Sequence, residues 1–474
     1  MRRSRPLPAR LVVALGACAL AAACGSALGS GVPHRLATSS TTTIWRTYHL
    51  NAVRTGDDTH EPSFTKLAAA FTTPAVDGAI YAEPLIFGNN VIVATENNSL
   101  YSFDARTGQR RWHANLGSPR TSNFPCGDIM PLGITSTPVI DSGYIYTLAE
   151  VEHPSGTYRF HLAKVSPYTG AITYNDDVTP AGMDTNTHQQ RSALAVSKGN
   201  VVISWGGLDG DCGTYHGFVE TVGESGGTEV AQWNDTPKDN EGGIWGASGP
   251  AVDSSGNVYV TTGNGSTTDI TKYDYGDSVV KLSPGLVPLS FFAPGPPQQW
   301  TYLNSKDNDL ASVGPSLLPN GLVFAIGKGG RGYLLSQATL PSNSNPGGGE
   351  NFSAQVCTRT HDAAFSGMAA AGSTVFIPCT DGIAAVRVDS STAFHRLWYS
   401  TSGSSAPIVA GGLVWTLSVF GGSALYGLNP ATGALAEQLA LPAATRHFAT
   451  PTSGDGRLFV AAGNQLIAFA PPGG

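Results

Sequence analysis

The chain has 474 residues, with 34 acidic against 27 basic side chains and a formal net charge of −7. That balance argues against nucleic acid or an anionic lipid surface as a partner. The length is ample for one large domain built by repeating a unit.

Met1–Ala23 begins with Arg2, Arg3, Arg5 and Arg10, continues in an apolar run from Leu11, and ends in small residues. This reads as a secretory signal rather than a stable membrane span. Ala21-Ala-Ala-Cys24 looks like the lipobox of bacterial lipoproteins, with Leu20 one place early; Leu15-Gly-Ala-Cys18 fits the box better but leaves a shorter apolar core. Acylation of Cys24 is the expectation, each buried methylene adding ~0.8 kcal/mol of membrane affinity. Ordinary cleavage and release is the alternative. Residues 24–43, rich in Ser, Thr and Gly, read as a flexible tether. Removing the signal takes away four arginines, leaving 23 basic against 34 acidic residues and a mature charge near −11.

From residue 44 to 474 the chain reads as one folded body. Lys66–Pro74 is a predicted strand that precedes any repeat. A short phrase then recurs, as Ala82-Glu-Pro-Leu-Ile86, Ser136-Thr-Pro-Val-Ile140, Ser192-Ala-Leu-Ala-Val196 and Ser248-Gly-Pro-Ala-Val252. It continues as Val313-Gly-Pro-Ser-Leu317, Ser366-Gly-Met-Ala-Ala370, Ser405-Ala-Pro-Ile-Val409 and Ala449-Thr-Pro-Thr-Ser453. The eight copies lie 39 to 65 residues apart. Each is followed by β-branched runs and Gly/Asn turns, so about four strands fit each unit. The spacing predicts an all-β, eight-bladed β-propeller. Tandem β-sandwiches are the alternative. Six copies carry Pro at the third position, which suits an innermost strand with one unpaired edge. The last repeat supplies only three strands, His447–Thr452, Leu458–Ala462 and Leu466–Ala470, so the N-terminal strand is expected to join the last blade and close the ring. Ser283–Gln299, proline-rich and irregular, accounts for the longest spacing, and Leu340–Glu350 reads as a surface loop.

Leu100-Tyr-Ser-Phe-Asp-Ala-Arg-Thr-Gly108, with Trp112 after it, resembles the repeat of quinoproteins, eight-bladed propellers that bind pyrroloquinoline quinone (PQQ). The resemblance runs from about Trp45 to the end. It implies that the Thr-Gly turn and the outer Trp dock one blade on the next. In Gly-Gly-Ile-Trp245-Gly, Trp245 is similar to the tryptophan on which the quinone stacks, and Asn264 in Thr-Gly-Asn-Gly to a calcium ligand. Asp309 in Asp307-Asn-Asp309 resembles the catalytic aspartate, which also lies at the metal, and Lys328 in Gly-Lys-Gly-Gly the basic residue at the quinone oxygens. Such a site would stack a planar cofactor on an aromatic face, polarise its carbonyl with calcium and take an alcohol proton on a carboxylate. The chain departs from that pattern. It has no adjacent cysteine pair and no Cys-x-x-Cys-His, holds Cys212 beside Asp211 where a glutamate ligand is expected, and lacks a basic residue in 126–135. It also resembles a group of secreted quinoprotein-like propellers through Tyr215-His-Gly-Phe-Val219 and Tyr275-Gly-Asp-Ser-Val279.

Propeller geometry gathers the loops before each inner strand and between the second and third strands on one face. They carry Cys126–Asp128, His188–Arg191, Asp209–His216, Trp245, Asn264, Asp307, Asp309, Lys328, His361, Asp381, Arg446 and His447, a polar mouth where a propeller places its site. An exported chain with four mature cysteines favours bridges. Cys357 with Cys379, and Cys126 with Cys212, are the pairings that adjacency suggests; free thiols and rival pairings stay open. Three functions follow. The favoured one is a tethered, monomeric propeller on the outer face of the cell membrane, or secreted, that binds a small polar ligand or an envelope protein on its top face. The alternatives are a PQQ- and calcium-dependent alcohol or sugar dehydrogenase and an envelope protein-assembly scaffold.

Overall fold

The computed structural model describes residues 44–64, 66–341 and 346–472. The expected signal, Cys24 and the tether lie outside them. Short β-branched and aromatic runs pair into eight separate sheets, one per repeat. Blade one is typical: Leu85–Phe87, Asn90–Thr95, Ser99–Asp104 and Arg110–Asn115, each antiparallel to the next. Its second strand is buried throughout and its third nearly so, because both faces meet neighbouring blades. The outermost strand alternates, with Trp112 and Ala114 buried and Arg110, Arg111, His113 and Asn115 exposed. Among the described residues no helix is long and apolar enough to cross a membrane.

Outer aromatics dock blade on blade. The Trp112 indole donates to the Pro167 carbonyl of blade two at 3.0 Å, and its ring lies against Gly170. A Cβ at Gly170, where φ is +71°, would sit 2.7 Å from that ring, so the Thr-Gly turn has to be glycine. Trp398 repeats the arrangement on Pro430 and Gly433 of blade seven.

The ring closes as expected. Blade eight takes Thr452–Gly454, Arg457–Ala462 and Gln465–Ala470 from the C-terminal end and Ala68–Thr72 from the other. Phe71 on that borrowed strand docks on Gly108 of blade one, as the tryptophans do elsewhere. The innermost strand starts at Thr452, not His447, because Phe448 adopts a positive φ of 61° and turns the chain away from the sheet.

Two expectations are corrected. Each proline stands one residue ahead of its inner strand, and the inner edges are not open. Residues 45–58 run once around the axis and touch the blades in order. Trp45 exchanges two backbone hydrogen bonds with Ile86 of blade one. The carbonyls of Arg46, Ala52, Val53, Thr55 and Gly56 then accept from Ile140, Val252, Leu317, Ala370 and Val409 of blades two, four, five, six and seven. Thr47 donates to the Leu194 carbonyl ahead of blade three, and Asp58 accepts from Ser453 Oγ of blade eight. The edge donors are thus satisfied by the chain itself. The second correction concerns Ser283–Gln299, which contains the outer strand Pro288–Phe292 of blade four; the extra length of that repeat includes a helix, Trp300–Lys306, beyond it.

Candidate functional site

Loops that lead into the inner strands, with those joining second to third strands, surround a cavity of about 600 Å³. Its wall is drawn from blades two to eight. Asp309 is its hub. The helix Trp300–Lys306 ends in Asp307, whose φ of +50° reverses the chain and buries Asp309 beneath the cavity. Asp309 Oδ1 accepts from the Asn264 backbone N–H at 3.0 Å and the Trp245 Nε1–H at 3.3 Å. Its Oδ2 lies 2.5 Å from Lys328 Nζ, which also reaches Asp307 Oδ1 at 2.6 Å. The flanking glycines make this approach physically feasible. A Cβ on Gly263 would lie 2.4 Å from Asp309 Oδ1, and one on Gly327 would lie 2.2 Å from the Asp309 carbonyl oxygen.

Charge sorts the two carboxylates. Burial works to raise Asp309, but Lys328 and hydrogen bonds from its neighbours outweigh it and hold the group below its usual range. Asp307 is pushed up to about 6, by burial first and then by the charge of Asp309. Burial, then Asp211 and Asp309, raise Glu241 to about 7.

Part of the wall is aromatic. Phe365 and Phe448 stack with centroids 5.6 Å apart and planes within 13°. Trp245 lies 6.1 Å from Phe365 and 6.5 Å from Phe448. The Arg191 guanidinium sits 5.5 Å from the Phe448 centroid, and Lys328 Nζ 5.4 Å from that of Trp245. Asp128 pairs with Arg191 and His447, each at 3.5 Å. Burial, then the Arg191 charge, lowers His447 to about 4. Cys126 and Cys212 form a disulfide that staples the loop holding Asp128 to the one holding Asp209 and Asp211. Cys357 is bonded to Cys379, which ends the strand Thr374–Cys379 rather than lying in a loop.

A family model described as outer membrane protein assembly factor BamB matches residues 53–207. No curated protein matches the chain in sequence. Among solved structures, the quinohemoprotein alcohol dehydrogenase of Comamonas testosteroni is similar at a TM-score of 0.65 and 14% identity, over 90% of this chain and 80% of its own. A europium-containing methanol dehydrogenase gives 0.66 and 13%, over 90% and 98%. BamB of Moraxella catarrhalis gives 0.56 and 14%, over 86% and 99%. The chain is an eight-bladed β-propeller, and its residues 53–207 match a PQQ-repeat family model. At these identities the likeness to the solved structures is one of fold.

The propeller brings Trp245, Asp309 and Lys328 together at its cavity. Asn264 does not line it; the residue is buried behind Asp309, and its side-chain amide donates to Glu241 Oε2 at 3.2 Å. His361, Asp381 and Arg446 from the expected mouth also stand off the wall; His361 Nε2 donates to the Lys306 carbonyl at 2.9 Å, and its Nδ1 lies 3.1 Å from Asp362 Oδ2. Sequence reasoning missed Phe365, Phe420, Phe448 and Arg359, which do line it. The available signal was an apolar aromatic beside a polar loop residue, as in His447-Phe448.

A planar, oxygen-rich group such as PQQ suits this lining, since aromatic faces stand beside Arg191, Lys328 and Arg359. Calcium suits it poorly. Hard cations take six to eight oxygens, whereas both oxygens of Asp309 are engaged by donors. Among the described residues no three His, Cys, Asp or Glu side chains are grouped to hold a metal.

Proposed function

We propose that this PQQ-repeat propeller is an exported, membrane-tethered binding protein that holds a small, flat, polar ligand in its top-face cavity. One observation carries the reading: Trp245, Phe365 and Phe448 converge with Lys328 and Arg191 on a single cavity of about 600 Å³. Cavities of that size, apolar on one side with a few fixed polar groups, are where propellers take ligands. The two disulfides support export. A panel of flat oxygen-rich compounds, PQQ included, tests it by thermal shift and tryptophan fluorescence. Saturable binding lost in Trp245→Ala supports the reading; a panel without a single shift sinks it.

A second reading, a quinone-dependent alcohol or sugar dehydrogenase, is favoured by Asp309 beside Trp245. Bound PQQ would supply the electron acceptor. Trp245 would carry its face, Lys328 and Arg191 would meet its oxygens, and ionised Asp309 would hold the proton leaving the substrate hydroxyl. Dye reduction with PQQ and a panel of alcohols, absent in Asp309→Ala, separates this from plain binding. The envelope-scaffold reading rests on the family match over residues 53–207 and predicts recovery of envelope proteins with the tagged chain.

A further inference from the structure

The Lys328 ammonium lies 2.5 Å from Asp309 and 2.6 Å from Asp307, two carboxylates that face one point. Its side chain is mostly buried, yet it lines the cavity. The remaining Asp309 oxygen is closed off by the Trp245 indole and the Asn264 backbone, and the side-chain amide of Asn264 is turned to Glu241. Gly263 and Gly327, without a Cβ, let the chain pack directly against the Asp309 carboxylate and carbonyl.

We propose that Lys328 is the resident cation of this site, fixed by the chain itself, so that the site works without calcium or another divalent ion. A divalent ion at Asp309 would have to displace the ammonium and desolvate next to it, and like charges at that separation repel strongly in a buried setting. An ammonium has three N–H groups. Two are spent on Asp307 and Asp309, and the third remains for an acceptor oxygen in the cavity, alongside the Trp245 ring. The ligand feature matched to Lys328 is therefore a carbonyl, carboxylate or hydroxyl oxygen on a group that lies flat on an indole.

The test titrates the full exported chain with Ca²⁺ by calorimetry and with Tb³⁺ by luminescence excited through tryptophan. It needs no knowledge of the ligand, so it stands apart from the function proposed above. The wild-type chain is expected to show no saturable Ca²⁺ heat and no Trp245-sensitised emission. Lys328→Met removes the ammonium and leaves the carboxylates facing one another; Tb³⁺ affinity is expected to rise on the order of tenfold or more, and the gain to vanish in Lys328→Met/Asp309→Asn. Lys328→Arg keeps a cation and should stay silent. Tight, stoichiometric Ca²⁺ binding by the wild-type chain that Asp309→Asn abolishes overturns the proposal, and that titration decides the matter even if Lys328→Met fails to fold. A folded Lys328→Met, checked by circular dichroism, that gains no ion affinity overturns it equally.

Discussion

Arg54 Nη2 donates to the carbonyl of Leu194, 140 residues further along the chain, at 3.1 Å. The same fully buried guanidinium donates through Nε to Pro250 ahead of blade four, and through Nη1 to Thr47 and Tyr48. One side chain of the axial segment thus pins two blades. Arg54→Met would leave these carbonyls unsatisfied in the interior. The expected cost is about 3 kcal/mol, read as a lower denaturant midpoint with an unchanged slope.

The contact between Phe71 and Gly108 sets how firmly the ring is shut. Gly108→Ala would place a Cβ 2.4 Å from the Phe71 ring at φ +70°. A loss of about 2 kcal/mol is expected. Gly143→Ala, at φ +81° with open space around it, should cost only about 1 kcal/mol. In Phe71→Ala/Gly108→Ala the losses should fall short of the sum, since the clash is gone.

Breaking the two disulfides should not be equivalent. Cys126–Cys212 closes 86 residues and Cys357–Cys379 closes 22. The chain-entropy view gives about 4.5 and about 3.5 kcal/mol for their removal. Paired Cys→Ser variants, compared by thermal unfolding, should rank in that order. Only the Cys126/Cys212 pair holds the Asp128 and Asp211 walls together, so it alone should also weaken ligand binding.

Glu220 predicts a pH effect. It is buried on the strand Phe218–Gly223 with Oε2 unpartnered, and burial, then Glu229 and Asp177, push it up to about 9. The folded protein therefore keeps this proton at pH 7 while the unfolded chain releases it near its ordinary value. Stability should fall as pH rises from about 4.5 to 9, because the native state binds more protons. Glu220→Gln should flatten that slope and gain about 2 kcal/mol near neutrality. Denaturation at pH 5 and pH 8 checks this; an equal shift at both refutes it.

The blades were legible because a short phrase, with Pro in six of its eight copies, repeats at the start of every inner strand, and the closure because the last repeat lacked a strand. The axial path of residues 45–58 was not. It has no periodicity, and its partners are set by where eight distant strands converge. Trp245 and Lys328, in glycine-flanked phrases, and Asp309, in Asp307-Asn-Asp309, were legible through their resemblance to the quinoprotein pattern. The direction of the Asn264 amide was not, because spacing places a residue but does not choose its rotamer. Phe365 and Phe448 lie in no recurring or recognised phrase; only the folded loops reveal that they stack at the cavity.

Residues 45–58 are synthesised before any blade exists, yet they finish as the spindle to which each blade is fastened in sequence. A nascent chain that emerges amino end first delivers the spindle before the wheel, and the last blade can be completed only when Ala68–Thr72 and the far end meet. A chain cut after Asp58 would still encode all eight sheets, but it would have to set their angular spacing without a hub.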